Sequence, residues 1–110
     1  MNTDIMALET AARCMEALGN PKRLEIVRLL VKAGPEGLPV GDIRQQLAIP
    51  GSTLSHHLLH LVGAGVIRQE REGRVLRCHP EFEQLRGLAD MLLAECCSGA
   101  GQDMPQADAG

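Results

Sequence analysis

Residues 51–65 read Gly51-Ser52-Thr53-Leu54-Ser55-His56-His57-Leu58-Leu59-His60-Leu61-Val62-Gly63-Ala64-Gly65, and Val66-Ile67-Arg68-Gln69-Glu70-Arg71-Glu72-Gly73-Arg74-Val75-Leu76-Arg77-Cys78 follows at once. In the first stretch Leu54, Leu58 and Leu61 recur at helical spacing, which marks one buried face. Ser52 is a natural N-cap, and Gly63-Ala64-Gly65 ends the helix after about Val62. In the second stretch the period falls to two. Residues 66–71 and 74–78 read as strands, with Glu72-Gly73 as the hairpin turn and Pro80 closing the second strand.

Working toward the N-terminus, Ile43 and Leu47 stand four apart in a short helix from about Val40 to Leu47, cut from the next by Pro50-Gly51. Gly34-Pro35-Glu36-Gly37 separates it from a helix that starts with Asn20 as N-cap and Pro21 at the first position and runs to about Ala33. Leu24, Val27, Leu30 and Val31 form its apolar face. The first helix is expected from about Asp4 to Leu18, capped by Thr3 or Asp4 and stopped by Gly19, with Ile5, Leu8, Ala12 and Met15 on one stripe. Toward the C-terminus a last helix is expected from about Glu81 to Glu95, carrying Leu85, Leu88 and Leu92. The order helix, helix, helix–turn–helix, hairpin, helix is mainly α: a winged helix-turn-helix with a two-stranded β-hairpin wing. Residues 1–97 are expected to form this domain, and 98–110, rich in Gly, Ala, Gln, Asp and Pro, a disordered tail.

Composition agrees. The chain of 110 residues is the length of one domain, 45% hydrophobic and 23% charged. Its 16 Leu, single aromatic Phe82 and three Thr favour helices over sheets. The apolar runs are too short to span a bilayer and no secretory signal opens the chain, so the expected compartment is the cytoplasm, with no membrane partner. Four cysteines are too few for a disulfide scaffold and are read as thiols.

The net charge of −3 looks wrong for a nucleic-acid binder, but it hides a gradient. Residues 13–77 carry ten Lys and Arg against six Asp and Glu, while residues 78–110 carry one base and six acids. No acid occurs between Gln45 and Gln69. The open side of the fourth helix offers Ser52, Thr53, Ser55, His56, His57 and His60, hydrogen-bonding groups suited to base edges in a major groove. Arg71 and Arg74 flank the hairpin tip and suit phosphate or minor-groove contact. Either segment alone is an ordinary solvated surface; both in this order point to DNA. His56 and His60, one helical turn apart, are also a zinc-chelating spacing, but no Asp, Glu or Cys accompanies them on that helix. No nucleophile–base–acid arrangement marks an enzyme, and a plain interaction module needs no acid-free helix.

Residues 51–65 resemble the recognition helix of the ArsR/SmtB family of bacterial repressors, with its Ser-Thr-x-Ser-His-His-Leu core and Ala-Gly exit. Leu18-Gly19-Asn20-Pro21-Lys22-Arg23-Leu24 resembles that family's early helix junction and Arg71-Glu72-Gly73-Arg74 its wing, so the likeness covers about residues 5–95. It implies a homodimer, joined through the first and last helices, that binds double-stranded operator DNA and leaves it when an inducer binds. The basic residue often found where Leu59 stands is missing, as are charges usual near Val62 and Gly63, which shifts DNA contact toward hydroxyls, imidazoles and the wing.

The family's arsenic site uses cysteines at the start of the third helix; Leu38-Pro39-Val40-Gly41-Asp42 has none. Its zinc site uses Asp and His along the last helix; here Asp90 stands without a histidine after His79. The remaining candidate is Cys96-Cys97, a thiol pair suited to As(III), methyl-As(III) or Sb(III), with Cys14 of the first helix as a third ligand. No permanently bound cofactor is expected. Adjacent helical residues point about 100° apart, so capture is expected to lock Cys96-Cys97 in a non-helical chelate and shorten the last helix. The rival chemistry is thiol-based redox or sulfur-species sensing, through a Cys14–Cys96 link rather than a strained vicinal disulfide. Cys78 reads as structural.

Overall fold

The computed structural model describes residues 6–94. The elements run α1 (Leu8–Leu18), α2 (Pro21–Ala33), β1 (Leu38–Pro39), α3 (Val40–Leu47), α4 (Gly51–Gly63), β2 (Ile67–Glu72), β3 (Val75–Pro80) and α5 (Phe82–Leu93). This is the expected winged helix-turn-helix, with one added strand.

Local chemistry explains most boundaries. Asn20 caps α2 as expected: its Oδ1 accepts from the backbone N–H of Lys22 at 2.9 Å and of Arg23 at 3.1 Å, with Pro21 at the first position. Gly34 ends α2 with φ +96°. α1 starts later than expected. Its N-cap is Ala7, in extended conformation and without a side-chain cap, while Thr3, Asp4 and Ile5 lie outside the described residues. The residue before it, Met6, packs on α5, its Cε 3.2 Å from where a Cβ on Gly87 would sit. Ser52 does not cap α4. The N-cap is two residues earlier, at Pro50, whose carbonyl accepts the Leu54 N–H at 2.9 Å. Proline's fixed φ supplies the entry geometry, so the Ser52 hydroxyl stays exposed. At the C-terminal end, α5 stops at Leu93, short of the expected Glu95, with Ala94 extended at φ −58°, ψ 139°.

The sheet is antiparallel, ordered β1-β3-β2. Glu72 pairs with Val75, so the two-residue turn is Gly73-Arg74, one residue later than the expected Glu72-Gly73. Gly73 has φ +65° and Arg74 is not in the left-handed region, the pattern of a type II′ hairpin. β1, invisible as two residues with a proline, pairs Leu38 with Cys78 and Pro39 with Arg77. Gly37 makes that approach feasible: it has φ +65°, and a Cβ there would lie 1.9 Å from the Cys78 carbonyl oxygen.

The core lies between the helices and the inner sheet face. Ile26, Leu30, Ile43, Leu54, Leu61, Val66, Ile67, Cys14 and Cys78 are fully buried. Each large aliphatic side chain contributes about 1.5–3 kcal/mol on burial. The expected stripe of α1 is not part of it. Ala11, Cys14 and Ala17 face inward, while Leu8 and Met15 are 72% and 47% exposed. On α5, Leu88 is buried whereas Leu92 and Leu93 are 57% and 70% exposed.

Candidate nucleic-acid interface

α4 presents two faces. Leu54, Leu58 and Leu61 anchor it in the core, and Ser52, Thr53, Ser55, His56 and His60 point to solvent. His56 and His60 stack edge to face, ring centroids 4.9 Å apart. Among the described residues no group of three or more His, Cys, Asp or Glu is placed to hold a metal ion. His57 is set differently from its neighbours. It is half-buried and its Nδ1 is buried with no hydrogen-bond partner. Burial, and after it the charges of Arg23, His56, His60 and Lys22, hold its imidazole below the ordinary value of 6.5. The α4 face is therefore a row of hydroxyls and imidazoles bordered by the cationic start of α2.

The wing separates its arginines by role. Arg77 is committed: its Nε donates to Glu72 Oε1 at 3.1 Å and its Nη1 to the Glu36 carbonyl at 3.3 Å. Arg68 lies 3.9 Å from both Glu70 and Glu81. Arg71 and Arg74 are exposed and, among the described residues, have no carboxylate within 4.0 Å. Their charge is the wing's free charge. Between α4 and the wing, Ser55, Leu59, Gln69 and Leu76 line an open cavity of about 250 Å³, and Leu59 is 69% exposed where the resemblance led one to look for a base.

Sequence reasoning missed Arg44. Its Nη1 lies 3.3 Å from where a Cβ on Gly51 would sit, beside the first turn of α4. A guanidinium and free helix N–H groups at one point form an arrangement that suits a phosphate. The signal was present as a base seven positions before Gly51, but spacing alone does not show that the turn folds it back.

Of the cysteines, Cys14 is fully buried, its thiol facing the Ala64 carbonyl at 3.5 Å, with Gln84 Nε2 at 3.5 Å from the sulfur. Cys78 is fully buried; burial pushes its thiol up, against a smaller opposing effect of the Gln69 amide. Cys96 and Cys97 lie outside the described residues, as does the expected tail 98–110.

A helix-turn-helix domain family matches residues 18–70. The transcriptional repressor PagR of Bacillus anthracis is 37% identical over 89 residues, which cover 81% of this chain and 87% of PagR. Its crystal structure superposes with a TM-score of 0.64 at 30% identity, over 78% of this chain and 93% of that one. The crystal structure of an ArsR family transcriptional regulator gives a TM-score of 0.72 at 21% identity, covering 92% of this chain and 99% of that chain; this likeness is one of fold.

The chain belongs to the ArsR/SmtB family of winged-helix regulators.

It is thus a DNA-binding transcriptional repressor and not an enzyme. A putative arsenical resistance operon repressor of Halobacterium salinarum is 31% identical over 72 residues, 66% of this chain and 60% of that protein. In this ArsR/SmtB chain the domain match spans α2, β1, α3, α4 and the start of the wing. No helix among the described residues is long and apolar enough to cross a membrane.

Proposed function

We propose that this repressor binds double-stranded operator DNA as a homodimer and leaves it when arsenite, methylarsenite or antimonite is captured by Cys96 and Cys97. The observation that carries the reading is the adjacent thiol pair just past the end of α5. Soft thiophilic ions prefer thiolates, and two sulfurs saturate a methylated As(III) centre whose third position is carbon. The likeness to a putative arsenical resistance operon repressor supports the same class of inducer. The stretch that opens α3 holds no cysteine, which leaves the C-terminal pair. α5 stops at Leu93 with Ala94 already extended, in keeping with a chelate formed outside helical geometry.

DNA contact falls to Ser52, Thr53, Ser55, His56 and His57 on α4, and to Arg71 and Arg74 on the wing. The dimer is supported by the exposed apolar faces of α1 and α5, with Leu8, Met15, Leu92 and Leu93 open to solvent in the single chain. An isologous interface buries such faces twice. Gln84 gives the two functions a physical link: from α5 it donates to the Ala64 carbonyl at the end of α4, at 3.2 Å. A shift of α5 on inducer capture therefore bears on the recognition helix.

Cys14 as a third ligand has to give up full burial and its contacts with Ala64 and Gln84. The same burial weighs against the rival Cys14–Cys96 redox link. Operator release is measured against arsenite, methylarsenite, antimonite, zinc and polysulfide. Cys96→Ser or Cys97→Ser should bind operator normally and ignore the inducer; Cys14→Ser should blunt arsenite more than methylarsenite if it ligates. A double variant, Cys96→Ser with Cys97→Ser, that still leaves DNA on arsenite addition overturns the site.

A further inference from the structure

His79 is the buried polar residue that DNA reading does not use. It sits on β3 with 6% of its surface exposed, at the root of the wing. Its Nδ1 lies 2.9 Å from the Pro35 carbonyl in the turn between α2 and β1. A carbonyl only accepts, so Nδ1 carries a hydrogen. In the neutral ring that leaves Nε2 as a bare lone pair. Nε2 is buried and has no hydrogen-bond partner, yet it lies 3.0 Å from Glu70 Oε1 of β2, within ion-pair distance. A buried lone pair facing a carboxylate is unfavourable twice over, once as an orphan acceptor and once by repulsion. A second proton on the ring removes both costs.

Glu36, Glu72, Arg77 and His79 line a cavity of about 240 Å³. Arg77 is spent on Glu72, and Arg68, opposite His79 in register, lies 3.9 Å from both Glu70 and Glu81. Four carboxylates thus face two guanidinium groups and the imidazole. The mechanical consequence follows from topology. Glu70 is on the strand that runs out to Arg71 and the tip, whereas Pro35 belongs to the helical body. His79 joins the two.

We propose that His79 is the positioning residue of the wing: its doubly protonated ring clamps β2 to the α2–β1 turn, and loss of the second proton loosens the clamp, so that operator binding weakens as pH rises. The inference rests on the wing touching DNA, as proposed above, and stands apart from the inducer. The sign is fixed by the geometry. The clamp uses the charged ring, so its contribution is present at acid pH and is lost as pH rises through the imidazole titration.

Two measurements test it on the full chain. Ring ¹⁵N NMR of the protein without DNA should show His79 carrying hydrogen on both nitrogens at pH 6, with Nδ1 keeping its own at pH 8. Operator affinity should fall about three- to tenfold from pH 6 to pH 8 beyond the fall seen in Glu70→Gln, since one linked proton changes an equilibrium by at most about tenfold per pH unit. Glu70→Gln is an exposed change that keeps the fold and lets an amide serve neutral Nε2. His79→Asn, which keeps a donor for Pro35, should match the shallow profile of Glu70→Gln. The histidines of α4 are the same in wild type and variants, so their contribution cancels in the comparison. A His79 ring bare at Nε2 down to pH 5.5 overturns the clamp. A ring that titrates as stated, with identical affinity profiles in all three proteins, overturns its role in DNA binding.

Discussion

Gln84 Nε2 donates to the Ala64 carbonyl at 3.2 Å and lies 3.5 Å from Cys14 Sγ, so one side chain of α5 meets the end of α4 and the buried face of α1. Gln84→Leu keeps the bulk and removes the donor. Stability should fall by about 1 kcal/mol, the usual net worth of such a bond. If Gln84 carries inducer state to α4, the ratio of operator affinities without and with arsenite should also shrink, against a usual coupling of ~1–3 kcal/mol. Urea unfolding and paired DNA titrations read the two effects separately.

Glycines of similar φ should differ sharply in cost. Gly37→Ala puts a Cβ 1.9 Å from the Cys78 carbonyl oxygen at φ +65°. The strained backbone alone costs ~1–3 kcal/mol, and the β1–β3 approach must open besides. Gly73→Ala shares φ +65° but meets open space, so it should cost only the backbone part, about 1 kcal/mol. Thermal unfolding of the two variants should rank them in that order.

Salt dependence should sort the arginines. Arg74→Ala and Arg44→Ala each remove a free or phosphate-facing charge, and each should weaken binding to all sequences and reduce the salt slope by about 1. Arg77→Ala removes a charge already tied to Glu72 and the Glu36 carbonyl, so its slope should stay near that of wild type. His57→Ala should reduce operator preference over random DNA rather than the slope. Fluorescence anisotropy across a salt series distinguishes these outcomes.

His57 makes a signed contribution to stability. Burial and Arg23 favour its neutral form in the folded chain, so the unfolded chain binds more protons. The contribution is complete above the ordinary value of 6.5 and is lost as pH falls below it. His57→Asn should therefore show a shallower loss of stability than wild type between pH 7 and pH 5, measured by chemical denaturation.

Cys14 and Cys78 are both fully buried, and burial holds the Cys78 thiol above its ordinary value. Thiolates are the nucleophiles, so neither residue should alkylate in the native protein. Brief iodoacetamide treatment and peptide mass spectrometry should find both unmodified, and modified only after denaturation. Labelling of Cys14 in the native state would instead favour its recruitment as an inducer ligand.

What the sequence determined by itself were the features written in local period and local chemistry. The shift from helical spacing in Leu54, Leu58 and Leu61 to alternation after Val66 set the winged helix, and Asn20-Pro21 set the start of α2, because caps and periods depend on near neighbours. The place of Arg71 and Arg74 beside the hairpin tip and the acid-free α4 were legible for the same reason. Tertiary structure decided what depends on residues distant in the chain. β1 is a strand only because Gly37 lets its turn lie on Cys78, a pairing that two residues with a proline cannot announce. On α1 the fold turned Ala11, Cys14 and Ala17 inward and left Leu8 and Met15 of the apolar stripe exposed, since which face is buried depends on what packs there. Arg44 met Gly51 through the turn between α3 and α4. His79 became a link between wing and body because folding set Pro35 and Glu70 on either side of one ring.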